Sequence, residues 1–138
     1  MRVIKPTDRR SGAALVEAAL VVPVILLLLY GVFCGAIMVI TVDQVDTAAR
    51  EGARWASVRG AMYAFDSKQP AATAADVNAY VQAQGVTLEQ SQMTVNTTWQ
   101  GSNRPGNYVT VEVIYNWPGM GPFGAQQMVA RSTQLVSY

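Results

Sequence analysis

The sequence predicts an α+β protein, in which a long N-terminal transmembrane helix continues into a small extracytoplasmic domain with a second helix and a two- or three-stranded antiparallel sheet. Three observations predict it. From Ala18 to Val42 there are twenty-five residues without a charge; at about 1.5 Å per helical residue they reach roughly 37 Å, enough for a ~30 Å hydrocarbon core. Small and apolar residues keep helical spacing beyond that run to Arg59 and show it again between Thr73 and Gln84. From Met93 the pattern changes to strict alternation, the signature of half-buried strands.

Composition limits what such a chain can do. Its 138 residues are 51% hydrophobic and 14% charged, against about 25% charged in an ordinary soluble domain, which excludes a disordered or tail-like protein. The formal charge of +1 leaves no global field for a phosphate polymer, so no nucleic-acid partner is expected. There is no histidine and one cysteine, which removes a His-based triad, a His-ligated metal site, a CxxC pair and an internal disulfide. The seven carboxylates after the span, Asp43, Asp46, Glu51, Asp66, Asp76, Glu89 and Glu112, are not spaced as a site. We expect no catalytic residues, no cofactor and no metal: an interaction protein rather than an enzyme.

The apolar run is too long for the 7–15-residue core, in round numbers, of a cleaved signal peptide, and Thr41 to Val45 offer no small-x-small cut site. Phe33 is too bulky to precede a lipidated cysteine, so Cys34 is expected to behave as a small apolar residue within the membrane. Arg2, Lys5, Arg9 and Arg10 against Asp8 give the N-terminal flank a net +3, whereas Asp43 and Asp46 precede the next base, Arg50. The positive-inside bias then puts the N-terminus in the cytoplasm and everything after Val42 outside it. Pro23 removes one backbone hydrogen bond and should kink or loosen the helix. Gly31 and Gly35 form a GxxxG step that permits close helix approach.

Glu17 stands out, because it separates the apolar stretch Ala13–Val16 from the charge-free run. An ionised group there is costly and commonly functional; it can also sit at headgroup level near the positive end of a helix that starts around Ser11. The junction Arg9-Arg10-Ser11-Gly12-Ala13-Ala14-Leu15-Val16-Glu17 resembles that of the type IV pilin superfamily, with its class III leader of a short basic segment, a glycine, a prepilin peptidase cut and a glutamate at the fifth residue after it. Gly12, Ala13 and Glu17 match that pattern, and Ala18 stands where the family often has an aromatic residue. The resemblance implies cleavage between Gly12 and Ala13. It also implies that Glu17 sets subunit register by pairing with the new α-ammonium of a neighbouring subunit, which would turn two costly charges into partners. Gly12, with no side chain, lets the peptide be drawn extended into a protease.

After the span, Asp43 to Arg59 resembles the segment of TadE-like proteins that carries an Ala-Ala-Arg-Glu-Gly-Ala-Arg core, here Ala48 to Arg54 with Arg50, Glu51 and Arg54 as its charged members. TadE-like proteins are minor pilins, or pseudopilins, of the tight-adherence secretion system that builds Flp-type (type IVb) pili. The resemblance covers about residues 9 to 59. It implies a pilin-like arrangement, a single-pass location in the bacterial inner (cytoplasmic) membrane, and prepilin peptidase, other pilins and the pilus assembly platform as partners. A role in pilus biogenesis for adhesion follows from it. The competing expectation is a membrane-anchored extracytoplasmic binding module on an uncleaved tether.

The implied organisation is a leader over 1–12, a transmembrane helix over 13–42, an extension of that helix over 43–59 and a small α+β domain over 60–138. In the extension, Val45, Ala48, Gly52, Trp55 and Ala56 make one small-residue stripe, and Asp46 with Arg50 and Glu51 with Arg54 can form pairs worth about 0.2–0.5 kcal/mol each. Helix packing is therefore expected at Gly31, Gly35, Ala48, Ala49, Gly52 and Trp55, with Gly52 admitting a close neighbour. Gly60 through Pro70 reads as a loop. Thr73 and Asp76 form a capping box for a helix that ends at Gly85, with Val77, Tyr80, Val81 and Gln84 on one face. Met93, Val95, Thr97 and Trp99 share one side of a first strand, and Val109, Val111, Val113 and Tyr115 one side of a second. The turn chemistry of Gly101 to Asn107 joins them as an antiparallel hairpin. After the Pro/Gly-rich stretch from Pro118 to Gly124, residues 126–137 fit a third strand or a helix. Trp55, Trp99 and Trp117 are expected in the core or at a membrane interface rather than in a ligand groove.

Overall fold

A computed structural model describes residues 9–85 and 88–138, with side chains from Gly12 onward. Most of the expected leader, residues 1–8, lies outside the described residues. The chain runs α1 (Arg9–Ser57), α2 (Ala61–Ser67), α3 (Ala74–Gln84), a short 3-10 turn (Gln90–Gln92), then β1 (Met93–Trp99), β2 (Tyr108–Trp117) and β3 (Gln126–Leu135). The three strands form one antiparallel sheet in the order β1-β2-β3. The predicted α+β class and the long apolar helix are both present, and residues 126–135 are a strand. Its pairing decides the matter: Met128, Ala130 and Ser132 face the same way as the inner residues of β2, opposite Tyr115, Val113 and Val111.

Helix α1 is one unbroken element that continues through Pro23, so the missing N–H costs a bond without ending the helix. It is long and apolar enough to cross a membrane. Its two halves have different surroundings. Residues 12–30 are exposed throughout, whereas Val45, Ala48, Ala49, Gly52, Ala53 and Ala56 are buried beneath the sheet and α3. Small side chains on this stripe allow the covering layer to approach closely. A Cβ on Gly52 would lie 2.5 Å from Val81 Cγ2, closer than real Cβ atoms come, and a tight 3.3 Å from Val111 Cγ1.

The core is completed by Val77 and Val81 of α3 and by the inner face of the sheet, chiefly Met93, Val109, Val111, Val113, Tyr115 and Trp117. Removing each of these valines from water stabilises the fold by about 1.5–3 kcal/mol. Val136, just past β3, is fully buried. Its N–H donates to Asn107 O at 2.7 Å, and Ser137 N–H donates to Ser57 O at 3.0 Å, which ties the chain end to the last turn of α1.

Two expectations change. The segment expected as a loop over Gly60–Pro70 contains the helix α2, because the Gly and Pro residues that suggest a loop only bracket it. The seven residues between include neither Gly nor Pro, Gly60 caps their start in extended geometry, and Lys68 closes their end at φ 56°. Gln84 is exposed, so the covered face of α3 is Val77 and Val81, with Tyr80 half-buried at its edge.

The capping box forms as read. Asp76 N–H donates to Thr73 Oγ1 at 3.3 Å and Thr73 N–H donates to Asp76 Oδ2 at 2.9 Å. The Thr73 hydroxyl also donates to Asp76 Oδ2, at 2.7 Å. These side-chain and backbone bonds from Thr73 hold the Asp76 carboxyl below its ordinary value.

Two predictions follow from this geometry. Gly52→Val should lower stability by about 1–3 kcal/mol through overpacking, measured by thermal unfolding of the full chain in detergent. Because the folded-state pKa of Asp76 is depressed, its contribution is present above the ordinary carboxyl range and is lost as pH falls through the lowered value. An acid titration followed by the amide resonances of α3 should show this loosening, and Thr73→Ala should move its midpoint upward.

Candidate functional site

The features from which function can be argued lie along α1. At its start, Gly12, Ala13 and Glu17 are exposed. Gly12 already lies in helix, since α1 begins at Arg9 rather than near Ser11, and no heavy atom would lie within 4 Å of a Cβ built on it. The peptide after Gly12 would have to unwind to enter a protease extended, and glycine opposes helix by about 1 kcal/mol relative to alanine.

From Leu15 to Phe33 the helix presents large apolar side chains on every face, Leu20 and Leu27 at 70% exposure and Val32 at 72%. Among the described residues, no element covers residues 12–29. A helix that is apolar all round is stable when lipid or other apolar helices surround it. Gly31 is open in the same way, with nothing within 4 Å of its Cβ position. Gly35 is not, because its Cβ position lies 3.8 Å from the ring of Phe123, so the GxxxG step is partly occupied by the chain itself.

Phe123 belongs to the loop between β2 and β3, which descends along α1 below the sheet. Gly121 in this loop, at φ +58°, comes so close that a Cβ there would lie 2.9 Å from the Tyr30 ring and 3.0 Å from Cys34 Sγ. Cys34 is free and fully buried. Sequence reasoning placed Cys34 against lipid, whereas the structure places it against the loop. The run Pro118, Gly119, Gly121, Pro122, Gly124 signalled a turn but not its destination.

In the extension, the stripe residues face inward: Ala48, Ala49 and Gly52 are buried within this chain, and the close neighbour of Gly52 is its own α3 and β2. Trp55 is half-buried, stacked on Tyr80 with ring centroids 5.0 Å apart, and the Arg59 guanidinium lies 4.3 Å above its ring. With Tyr63, Pro70 and Asp76 they line a groove of about 450 Å³, which the spacing of the aromatics did not reveal because its walls come from three helices. Trp117 is buried in the core and Trp99 packs half-buried at its edge.

Arg50, Glu51 and Arg54 form a charged strip on the opposite side. Arg50 meets Asp46 at 2.5 Å and Arg54 meets Glu51 at 3.5 Å, all four side chains at least 39% exposed. Pairs so exposed add little to stability. On the outer face of the sheet, Glu112 accepts from Arg131 at 2.6 Å and from Asn96 at 3.4 Å, and the Arg131 bond is the first reason its carboxyl lies below the ordinary value. Among the described residues no cluster of three or more metal-ligating side chains occurs.

Residues 12–54 match a family model described as TadE-like protein. This stretch is similar to TadE-like proteins. No curated protein and no solved structure matches the chain significantly. The TadE-like stretch takes in Gly12, Ala13, Glu17, the apolar run and the core from Ala48 to Arg54, and it stops before α2, α3 and the sheet.

The contrast between the close glycine at 121 and the open one at 31 can be measured. Gly121→Ala should destabilise the protein by about 1–3 kcal/mol, since a left-handed φ and a sub-contact approach to Tyr30 act together. Gly31→Ala, with open space around it, should leave the unfolding temperature in detergent unchanged or slightly raised.

Proposed function

We propose that this chain is a minor pilin, or pseudopilin, that helps to build a Flp-type pilus for adhesion by packing its N-terminal helix against other pilins. The observation that carries this reading is the coincidence of the TadE-like match with a helix whose residues 12–29 the rest of the described chain leaves bare. An anchor needs only to be apolar. This helix also carries a glycine and a glutamate at the spacing of a pilin leader junction.

In this reading the chain sits in the bacterial inner membrane with its N-terminus cytoplasmic. Prepilin peptidase removes residues 1–12, and the helix from Ala13 joins neighbouring helices at the assembly platform. Glu17 then pairs with the α-ammonium of a neighbour and sets the register. The helix face available for that packing is the exposed one from Ala13 to Phe33, because the stripe at Ala48, Ala49 and Gly52 is spent on the chain's own domain. The role requires no chemistry from the chain, so we regard it as a non-enzyme.

One observation favours a second reading, an anchored binding module with an intact leader: the groove lined by Trp55, Arg59, Tyr63 and Tyr80. N-terminal sequencing of the chain from its native membrane separates the two. A start at Ala13 is expected, and an uncut leader would decide for the tether. Replacing Gly12 with leucine should abolish trimming, followed as a retained mass of the full chain. Glu17→Gln should leave trimming intact and reduce incorporation into sheared filaments severalfold; normal assembly of that variant would exclude a register role for Glu17.

A further inference from the structure

The β2–β3 loop is left unexplained by helix packing. Its last strand pair is Trp117 with Gln126, and from there the chain runs alongside α1 to reach Tyr30, Cys34 and Gly35. These helix residues lie within the charge-free run from Ala18 to Val42. Tyr30 is twelve residues before Val42, about 18 Å along the helix axis. The chain from Val113 to Ala130 likewise contains no charged residue. Its first base, Arg131, borders the same groove as Asp43 and Asp46. The charges on helix and sheet therefore begin at one level, and both segments beyond it are free of charge.

We infer that the β2–β3 loop, residues 118–125, is a membrane-inserted element that enters the outer leaflet beside the transmembrane helix and sets the depth of the domain. The occupant of its outer surface is the hydrocarbon of the bilayer. This rests on α1 spanning a membrane, a part of the proposed function, and on nothing else in it. At the level of the loop the remaining faces of α1 are Leu29 at 61%, Val32 at 72% and Phe33 at 63% exposure. Whatever medium takes these side chains out of water also surrounds a loop packed against the same turns.

A ~30 Å core needs about 20 helical residues. If that core begins at Ala18, its outer boundary falls near Ile37, and Tyr30 lies about 10 Å inside it. The loop satisfies part of its own backbone at such a depth. Irregular backbone in lipid is costly because its polar groups lack water. Here Met120 N–H donates to Phe123 O at 2.9 Å and Phe123 N–H to Met120 O at 3.1 Å, and Pro118 and Pro122 have no N–H to satisfy. Phe123 turns toward Gly35, while Met120 at 40% exposure and Pro122 face outward.

The test uses the full chain in phosphatidylcholine–phosphatidylglycerol vesicles, with Cys34→Ala removing its one native thiol. Spin labels are placed singly at Met120→Cys, Leu28→Cys and Thr133→Cys, and their accessibility to oxygen and to a water-soluble nickel chelate is compared. The oxygen-to-nickel ratio at positions 120 and 28 should exceed that at position 133 severalfold. A water-like ratio at 120 with a lipid-like ratio at 28 would overturn the loop insertion and leave the span standing. Water-like ratios at both would remove the span and the loop together. Shielding of position 120 from both reagents would mean that protein rather than lipid covers the loop, and would also overturn the inference. Pro122→Cys repeats the measurement should Met120→Cys fail to fold.

Discussion

A single continuous helix has to satisfy two different surroundings, and the rest of the structure adjusts to that. From Gly12 to Tyr30 helix α1 offers apolar side chains in every direction, and from Val45 to Ser57 it offers a narrow stripe of alanines, a glycine and one valine. The first composition suits a medium without preferred direction. The second suits one closely fitted layer. The approach at Gly52, where Val81 and Val111 stand so near that no side chain fits, decides how deeply the sheet and α3 settle on the helix. That in turn sets how far the β2–β3 loop descends.

The same constraint explains how much was legible beforehand. The helix, the capping box at Thr73, the inward set of β1 and β2 and the charge pairs at Asp46–Arg50 and Glu51–Arg54 are local, with periods of 3.6 or 2 residues or fixed offsets that a sequence displays directly. The helix α2 was hidden because the glycine and proline around it are strong local signals while the seven residues themselves carry none. Strand β3 alternates only weakly, with Ala130 and Ser132 as inner residues. Only pairing with Val113 and Val111 distinguishes it from a helix.

The candidate site divides in the same manner. Gly12, Ala13 and Glu17 are recognisable by spacing alone, and the structure adds that they are exposed on a helix already formed at that point. Ala48, Ala49 and Gly52 were legible as a close-packing stripe, but the identity of the partner was not, because small residues admit any neighbour equally well. The partner is the chain's own β2 and α3, which lie dozens of residues away. The stack of Trp55 on Tyr80 beneath Arg59 and the burial of Cys34 under Gly121 were not legible for the same reason: each joins segments far apart in sequence.

This has a consequence for the TadE-like stretch. It ends at Arg54, so it contains most of the core residues of α1, from Val45 to Ala53, and none of the residues that cover them. Within that stretch the glycine at position 52 has no visible cause, since a helix pointing into water or lipid would gain about 1 kcal/mol from alanine there. Its cause is Val81 and Val111, both beyond the match. The stretch is thus fitted to two partners at once: its exposed half to apolar surroundings, and its small-residue half to a domain that must sit close enough to bring a charge-free loop against Tyr30. A larger residue at position 52 would press on Val81 and Val111 and lift the sheet, and with it Gly121 and Phe123, away from the helix turns they contact, so packing in the second half of α1 governs what the loop reaches on the first.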